Sequence, residues 1–229
     1  ERGMFSRVAS QKQAAKNGRR DATFDFGTNP CSEIILRPYQ FCNLSEVVVR
    51  STDTLADLKR KVRVAAILGT LQSTLTDFRY LRAIWKKNTE EESLLGVSLT
   101  GIMDHPILSG RENEEGENED YKTLKKWLDV LREEAIKTNA AWAEKLGVNI
   151  STAITAVKPS GTVSQLVDSA SGIHPRFSGF YIRRVRQASN DPLCSILEAA
   201  GVPVEDDKFQ PSTKVFSFPK KSPEGAVTA

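Results

Sequence analysis

GTNPCSEIILRPYQFCNLSEV, residues 27–47, joins a loop rich in Gly, Asn and Pro to the beginning of an apolar strand. The loop carries a cysteine, Cys31, with an amide two residues before it and a carboxylate two residues after it. Pro30 favours an extended backbone at Asn29. In an extended segment the side chains of Asn29, Cys31 and Glu33 project to one face, roughly 7 Å apart. The stretch therefore predicts an amide, a thiol and a carboxylate that can meet one small ligand.

The acidic neighbour limits the chemistry that Cys31 can perform. A nucleophilic cysteine needs its pKa lowered by a cation, a helix N-terminus or a histidine, and no histidine lies near it in the sequence. The carboxylate of Glu33 does the opposite, because a nearby negative charge disfavours the thiolate. The pattern favours a neutral thiol beside a general base, the arrangement wanted for hydrogen-atom chemistry on a hydroxylated substrate. A thiol that serves only packing is the alternative.

Strand and helix patterns alternate on both sides of this stretch. Apolar or alternating runs predict strands at 44–50 (LSEVVVR), 94–104 (LLGVSLTGIMD), 151–157 (STAITAV), 180–186 (FYIRRVR) and 213–218 (TKVFSF). Helical spacing of apolar residues predicts helices at 5–18, 54–75, 120–146 and 192–201. Such alternation is typical of an α/β fold with mainly parallel strands. The acidic run at 110–120 is predicted to be a solvated loop.

Composition excludes several classes of protein. The formal net charge is only +3 and 39% of the 229 residues are hydrophobic, which favours neither a nucleic-acid partner nor a membrane surface. No apolar run approaches the roughly 20 residues of a membrane span. The 3 cysteines and 2 histidines lack the spacing of metal ligands, so no metal site is predicted. The low cysteine content predicts a reducing, cytoplasmic compartment.

A second candidate site follows the strand predicted at 151–157. In VKPSGTVSQL (157–166) the chain leaves this strand and enters a short helix, and Gly161 lets the backbone approach a ligand closely. Helix-start N–H groups attract anions. The polar side chains that accompany them are Lys158, Ser160, Thr162 and Ser164. The spacing is not that of a P-loop, and Ser or Thr before a helix often serves only as an N-cap. The residues alone leave a phosphate site and a simple cap both open.

TNPCSEI followed by FCNLSEVVVR resembles the ribonucleotide reductase large chain, above all the class II, adenosylcobalamin-dependent ribonucleoside-triphosphate reductases. FSRVASQKQAAKNGRR, LLGVSLTGIMD, KPSGTVSQL, SGIHPRFSGFYIRRVR and FPKKSPEGAV resemble the same family in the same order. The likeness covers nearly the whole chain. It implies an α/β fold that is a portion of a ten-stranded α/β barrel with a central finger loop. Residues 1–229 would then be a partial catalytic barrel domain, without its upstream strands and C-terminal tail.

The resemblance also implies roles for single residues. Cys31 would become the thiyl radical that takes the ribose 3′-hydrogen, Glu33 the base that removes the 3′-hydroxyl proton, and Asn29 the amide that holds a ribose hydroxyl. Cys42 would be one half of the dithiol that reduces the radical intermediate, with its partner upstream of residue 1. The substrate's phosphates would be bound by the turn residues Pro159, Ser160, Gly161, Thr162, Val163 and Ser164.

The activity implied by the resemblance is reduction of ribonucleotides to 2′-deoxyribonucleotides. The expected substrates are triphosphates, with diphosphates as the alternative. Adenosylcobalamin is the implied cofactor, and the implied partners are the ribonucleotide, a thioredoxin-like reductant and a nucleotide effector. Cys194 is expected to be a core residue, and His174 a loop residue rather than a cobalt ligand. Two alternatives are a class I large chain with a separate metal-radical subunit and a nucleotide- or phosphate-binding module without catalysis. The fragment alone is not expected to turn over.

Overall fold

The computed structural model describes residues 4–16, 20–110 and 119–229. Gly18, predicted to end the first helix, and most of the acidic run at 110–120 lie outside these residues. The chain separates into two compact units, the first ending at His174 and the second spanning Pro175–Ala229.

The first unit contains helices and strands in alternation, as the sequence predicts. Its described helices are α1 (Arg7–Lys16), α2 (Leu55–Gln72), α3 (Ala83–Glu92), α4 (Glu119–Leu146) and the single turn α5 (Val163–Leu166). Its described strands are β1 (Gly27–Thr28), β2 (Ile35–Leu36), β3 (Asn43–Val48) and β4 (Leu95–Thr100), and a 3-10 turn follows β4 at Ile102–Asp104. None of the described helices is both long and apolar enough to cross a membrane.

Two parallel strands form the centre of the first unit. β3 and β4 pair from Asn43 opposite Leu95 to Val48 opposite Thr100. The segment 151–157, predicted to be a strand, runs along β4 and forms one isolated parallel bridge, Val97 to Thr155. Its pairing with β4 places the turn that follows it, 158–162, just beyond the carboxyl end of a parallel strand, where ligands of α/β folds gather.

Helix α2 covers this pair of strands and also packs against α4. It begins with a capping box in which Thr54 and Asp57 bond each other's backbone N–H. Its apolar face recurs at helical spacing, so the same residues that specify the helix also bury it. The core that results contains Val47, Val49, Leu58, Val62, Ala65, Ala66, Leu95, Val97, Leu108, Leu131, Ala135 and Ile154.

The second unit consists of β5 (Phe180–Ala188), α6 (Pro192–Ala199), β6 (Val204–Asp206) and β7 (Thr213–Lys221). Its sheet has the order β5-β7-β6 and is antiparallel throughout. The prediction of mainly parallel strands is wrong for this unit. The short connection between β6 and β7 is the reason, because a parallel pair needs a crossover of a dozen or more residues.

Side chains of the second unit confirm one sequence prediction and add two ion pairs. Cys194 is buried on α6, and its thiol donates to the carbonyl of Ala188 at 3.1 Å, which confirms it as a core residue. Two arginines of β5 pair with acidic side chains of the same unit. Arg186 bonds Asp207 at 2.8 Å, and Arg184 pairs with Glu205.

Candidate active site

Cys31 lies at the tip of the hairpin formed by β1 and β2 and is exposed. The backbone N–H of Ser32 donates to the carbonyl of Asn29 at 3.0 Å, so the chain reverses over Pro30 and Cys31. Proline is pre-set for the second position of such a turn. The prediction that Asn29, Cys31 and Glu33 share a face by strand alternation is therefore wrong. Pro30 begins a turn, so the chain folds back between Asn29 and Glu33 and does not stay extended.

The turn nevertheless brings the amide of Asn29 to the carboxylate of Glu33. The side-chain oxygen of Asn29 accepts from the N–H of Ile34 at 3.0 Å, and its NH2 group interacts with the Glu33 carboxylate. Burial raises the pKa of Glu33, but the Asn29 side chain, the residue's own backbone N–H and Lys158 lower it by more. The pKa of Glu33 therefore lies below the value of an ordinary glutamate, and the carboxylate is ionised at neutral pH.

The two oxygens of Glu33 have different surroundings. Oε1 accepts from Nζ of Lys158 at 3.1 Å, and the Glu33 side chain is only 1% exposed. Oε2 is buried and has no hydrogen-bond partner of normal geometry among the residues that the structure describes. One oxygen is thus held by a cation while the other keeps its capacity to accept a proton.

A cavity of about 910 Å³ adjoins this carboxylate. The hairpin residues 32–35 line it together with β4, the inner face of α4 and residues 152–157. Pockets of this size are typical of sites for small ligands. Of the candidate site residues, Glu33 belongs to its lining.

Cys42 immediately precedes β3 and is half-buried. Burial raises the pKa of its thiol to about 12, and the negative charge of Glu33 contributes in the same direction. The positive charges of Arg20 and Lys158 oppose this rise without cancelling it. The sequence predicted that the negative charge of Glu33 would keep a neighbouring thiol protonated. In the structure this effect acts on Cys42.

Alkylation should report this protonated state. A thiol with a pKa of about 12 in place of 9.0 carries about 10³-fold less thiolate at pH 8, so iodoacetamide should modify Cys42 about 10³-fold more slowly in the folded chain than in urea. Mass spectrometry of a labelling time course measures the two rates. Glu33→Gln should accelerate labelling of the folded chain, whereas Glu144→Gln, at an exposed carboxylate, should not. Equal rates in the folded and unfolded chain would contradict the assignment.

A buried polar network, which sequence reasoning missed, anchors the hairpin to α3. Arg20 and Glu92 form a two-pronged ion pair with both distances at 2.9 Å and both side chains 6% exposed. Arg20 also donates to the carbonyl of Ile35 on β2 at 2.8 Å. Gln40 donates to Glu92 at 2.6 Å and receives a bond from Arg20 at 3.2 Å. The segments before and after the hairpin are therefore fixed to the same helix. Arg20 and Glu92 are 72 positions apart, and no local pattern links them.

Removing one partner of this pair should destabilise the first unit strongly. Glu92→Gln leaves the guanidinium of Arg20 buried without a counter-charge, and we expect the free energy of unfolding to fall by about 3–5 kcal/mol. Denaturant unfolding measures this change. The matched control is Asp77→Asn, which removes the exposed ion pair with Arg79, whose side chains are 75% and 72% exposed. The control should leave the free energy of unfolding almost unchanged. Equal effects of the two substitutions would contradict the argument.

The predicted phosphate turn is compact and internally bonded. Ser160 has a φ of +55° and a buried hydroxyl with no hydrogen-bond partner among the described residues. Its carbonyl accepts from the hydroxyls of Ser164 and Ser171, at 2.5 and 2.9 Å. The Ser164 hydroxyl thus shapes the turn from inside, while Gly161, Thr162 and Val163 are exposed. Helix α5 supplies only one turn of backbone at this place.

Two neighbours hold this turn in position. Gly172 has a φ of +54°, and a Cβ there would lie 2.6 Å from the carbonyl oxygen of Lys158. Only glycine allows so close an approach. Arg50, which follows β3, donates to the carbonyls of Val167 and Asp168 at the end of α5, at 2.6 and 2.9 Å. The turn is therefore fixed between β3 and the segment around Gly172.

Lys158 joins the two predicted sites, because it is bonded to Glu33 and directly precedes the turn. His174 lies on an exposed loop and bonds the carbonyl of Ser171 through Nδ1 at 3.0 Å. Within the described ranges no group of three or more His, Cys, Asp or Glu residues could hold a metal ion. The site thus brings together Asn29, Glu33, Cys42 and Lys158. Cys31 lies at the tip of the hairpin that carries Asn29 and Glu33.

No protein-family model matches the chain. Among curated proteins, the adenosylcobalamin-dependent ribonucleoside-triphosphate reductase of Lactobacillus acidophilus is 31% identical over 212 residues, which are 86% of this chain and 28% of the relative. The enzyme of that name from Lacticaseibacillus paracasei is 32% identical over 232 residues, 94% of this chain and 30% of the relative. The chain is related to the class II ribonucleotide reductases.

Solved structures agree with this relationship. A crystal structure of a B12-dependent, class II ribonucleotide reductase matches 88% of this chain and 30% of its own with a TM-score of 0.70 and 28% identity. The class Id ribonucleotide reductase alpha subunit of Actinobacillus ureae matches 85% of this chain and 38% of its own with a TM-score of 0.53 and 15% identity, which shows the fold alone. The α/β fold is that of ribonucleotide reductase large subunits, and the predicted likeness is confirmed. The chain spans about 30% of the length of its curated relatives.

Proposed function

We propose that this chain carries the reacting thiol of a ribonucleotide reductase and that the complete protein reduces ribonucleoside triphosphates to 2′-deoxyribonucleotides. The names of the curated relatives support the activity and the triphosphate substrate. The observation that carries the proposal is the state of Glu33. It is a buried carboxylate, kept ionised, and its Oε2 makes no hydrogen bond of normal geometry with the described residues. It lies two residues from the cysteine at the hairpin tip.

The proposed setting of the hairpin is the centre of a ten-stranded α/β barrel, in which it forms the finger loop. The parallel pair β3 and β4 would be part of the barrel wall, and residues 1–229 would be a partial catalytic domain. A thiyl radical survives only where water and oxidants are excluded. In the complete barrel the surrounding strands would exclude water from Cys31.

The first step in this proposal takes a hydrogen atom and a proton from one ribose. Cys31, as a thiyl radical, accepts the hydrogen atom from C3′ and becomes a thiol again. Glu33 accepts the proton of the 3′-hydroxyl through its free oxygen, as a general base. Asn29 donates its NH2 group to a ribose hydroxyl, because its carbonyl oxygen is already bonded to Ile34.

The reduction itself needs two electrons and two protons. Cys42 and a second cysteine upstream of residue 1 supply them as a dithiol and end as a disulfide, while the 2′-hydroxyl leaves as water. The high pKa of Cys42 keeps it in the hydrogen-bearing form that this step requires. A thioredoxin-like reductant would restore the dithiol, and a nucleotide effector would be a further partner.

The proposed seat for the triphosphate is the turn that contains Pro159, Ser160, Gly161, Thr162, Val163 and Ser164. The exposed backbone at Gly161 and Thr162 offers close approach, and the positive charge of Lys158 adjoins it. The buried hydroxyl of Ser160 has no partner among the described residues and can serve a bound oxygen.

Adenosylcobalamin, which the relatives' names specify, would supply the radical by homolysis of its cobalt–carbon bond. The described residues fit the reacting end of such a system, since the Cys31 thiol is exposed at a turn. They identify no seat for the corrin, because no metal-ligand group is present among them and the Nδ1 atom of His174 is bonded to its own loop. A cytoplasmic location stays a prediction.

Turnover of the complete protein tests the function. Ribonucleotide reduction by the purified full-length polypeptide with adenosylcobalamin and a dithiol, and with no second subunit, is expected. Activity that depends on an added metal-radical subunit would favour the class I alternative. Nucleotide binding without reduction under either condition would favour the non-catalytic module.

A further inference from the structure

Lys158 is the one cation in direct contact with Glu33 among the described residues, and it also begins the proposed phosphate turn. Its side chain is 27% exposed, whereas that of Glu33 is 1% exposed. The ammonium can therefore be reached by a ligand that cannot reach the paired oxygen of the carboxylate. Because its ammonium is accessible, Lys158 can exchange the Glu33 carboxylate for another anion.

Among the described residues, Cys42 interacts with both charges of this pair and is held protonated by burial. The charge of Arg20 also acts on Cys42. Arg20 is already committed to Glu92 in a buried two-pronged pair. Lys158 is thus the group whose position can change the electrostatic environment of Glu33 without breaking a buried network.

We propose that Lys158 couples phosphate binding to the strength of Glu33 as a base. A phosphate oxygen at the turn competes with Glu33 for the ammonium, so the carboxylate loses part of its stabilisation and holds a proton more tightly. The proposal rests on the phosphate site of the proposed function. Its consequence is that the base is strongest when the phosphates of a substrate are seated.

Coupling between two sites is reciprocal, so the charge of Glu33 must also affect the affinity for phosphate. If phosphate at the turn makes Glu33 a stronger base, then neutralising Glu33 must make phosphate bind more tightly by the same factor. Coupling between two sites typically changes an affinity about 5–150-fold. The coupling must also vanish when Lys158 is removed, because no other described group joins the two sites directly.

A double-mutant cycle on the 229-residue chain tests this, with inorganic tripolyphosphate as the probe. Glu33→Gln should tighten tripolyphosphate binding about 5–150-fold, as measured by calorimetry at neutral pH. In the Lys158→Met background the same substitution should have almost no effect. Lys158→Arg should retain the coupling, and the exposed Lys137→Met should behave as wild type.

Carboxyl-carbon NMR of Glu33 gives an independent readout that does not depend on turnover. Tripolyphosphate should move its titration to higher pH in the wild-type chain and much less in Lys158→Met. If tripolyphosphate binds and Glu33→Gln has the same effect with and without Lys158, the coupling is overturned while the phosphate site stands. If tripolyphosphate does not bind the wild-type chain, both are overturned. The roles of Cys31 and Cys42 are then still judged by turnover of the complete protein.

Discussion

Replacing Cys31 by serine in the complete protein is expected to abolish the proposed ribonucleotide reduction while nucleotide binding is retained. A serine hydroxyl has nearly the shape of the thiol, but its O–H bond is too strong for the oxygen radical to form and be regenerated in a catalytic cycle. The tip of the hairpin is exposed and its turn is held by backbone bonds of Asn29 and Ser32, so the substitution should leave the fold intact. Turnover and equilibrium nucleotide binding are the two measurements.

The chain supplies a matched control for this experiment. Cys194→Ser is the same chemical change in the second unit, where the side chain bonds the carbonyl of Ala188 and a serine can do so too. It should retain turnover. A Cys31→Ser protein that reduces ribonucleotides at the wild-type rate would refute the thiyl role. If neither substitution changes any measured property and no reduction occurs, the chain is a binding module.

Glu33→Gln should lower turnover of the complete protein by about 10²–10⁴-fold, the usual contribution of a general base. The amide keeps the shape of the side chain but cannot accept the 3′-hydroxyl proton. A base works in its ionised form, so activity falls as the pH falls through its pKa. Because the pKa of Glu33 is lowered, the acid limb of kcat/KM, which reports the free enzyme, should lie at lower pH than an ordinary glutamate would give.

The pH profile separates this role from a structural one. In Glu33→Gln the residual activity should lose the acid limb assigned to the base, which a mere loss of stability would not cause. Glu144→Gln, at an exposed carboxylate on α4, should leave both rate and profile unchanged. A Glu33→Gln protein with full activity and the wild-type profile would exclude Glu33 as the base.

Local patterns predicted α2, α4, β3 and β4 of the first unit well. The apolar spacing of Leu58, Val62 and Ala65 indicates a helix because side chains at that spacing share one face, and the same face is buried in the structure. The buried strand at 95–100 was likewise predicted from an unbroken apolar run. The second unit was predicted less well, because periodicity identifies strands but does not say whether their neighbours run parallel or antiparallel.

At the candidate site, too, the sequence identified the residues but not their arrangement. Asn29, Cys31, Glu33 and Cys42 were singled out by residue type and spacing, but their predicted arrangement assumed an extended chain where Pro30 begins a turn. Helix α3, which anchors this region through Glu92, was not predicted. Its polar, charged sequence offers no apolar stripe, and its buried face consists of Asn88, Thr89 and Glu92.

Residue types and their spacing specify the chemistry available at the site: a thiol, a carboxylate and an amide on one loop, a second thiol, and a serine-rich turn after a strand. The tertiary structure decided which of these groups meet. Lys158 and Glu33 are 125 positions apart, and Arg20 and Glu92 are 72 apart. Helical and strand periodicities act over a few residues, whereas such pairs form only when packing of the core closes the long loops between them. That closure, and not any local pattern, joins Glu33 to the turn that Lys158 begins and gives Cys42 its raised pKa.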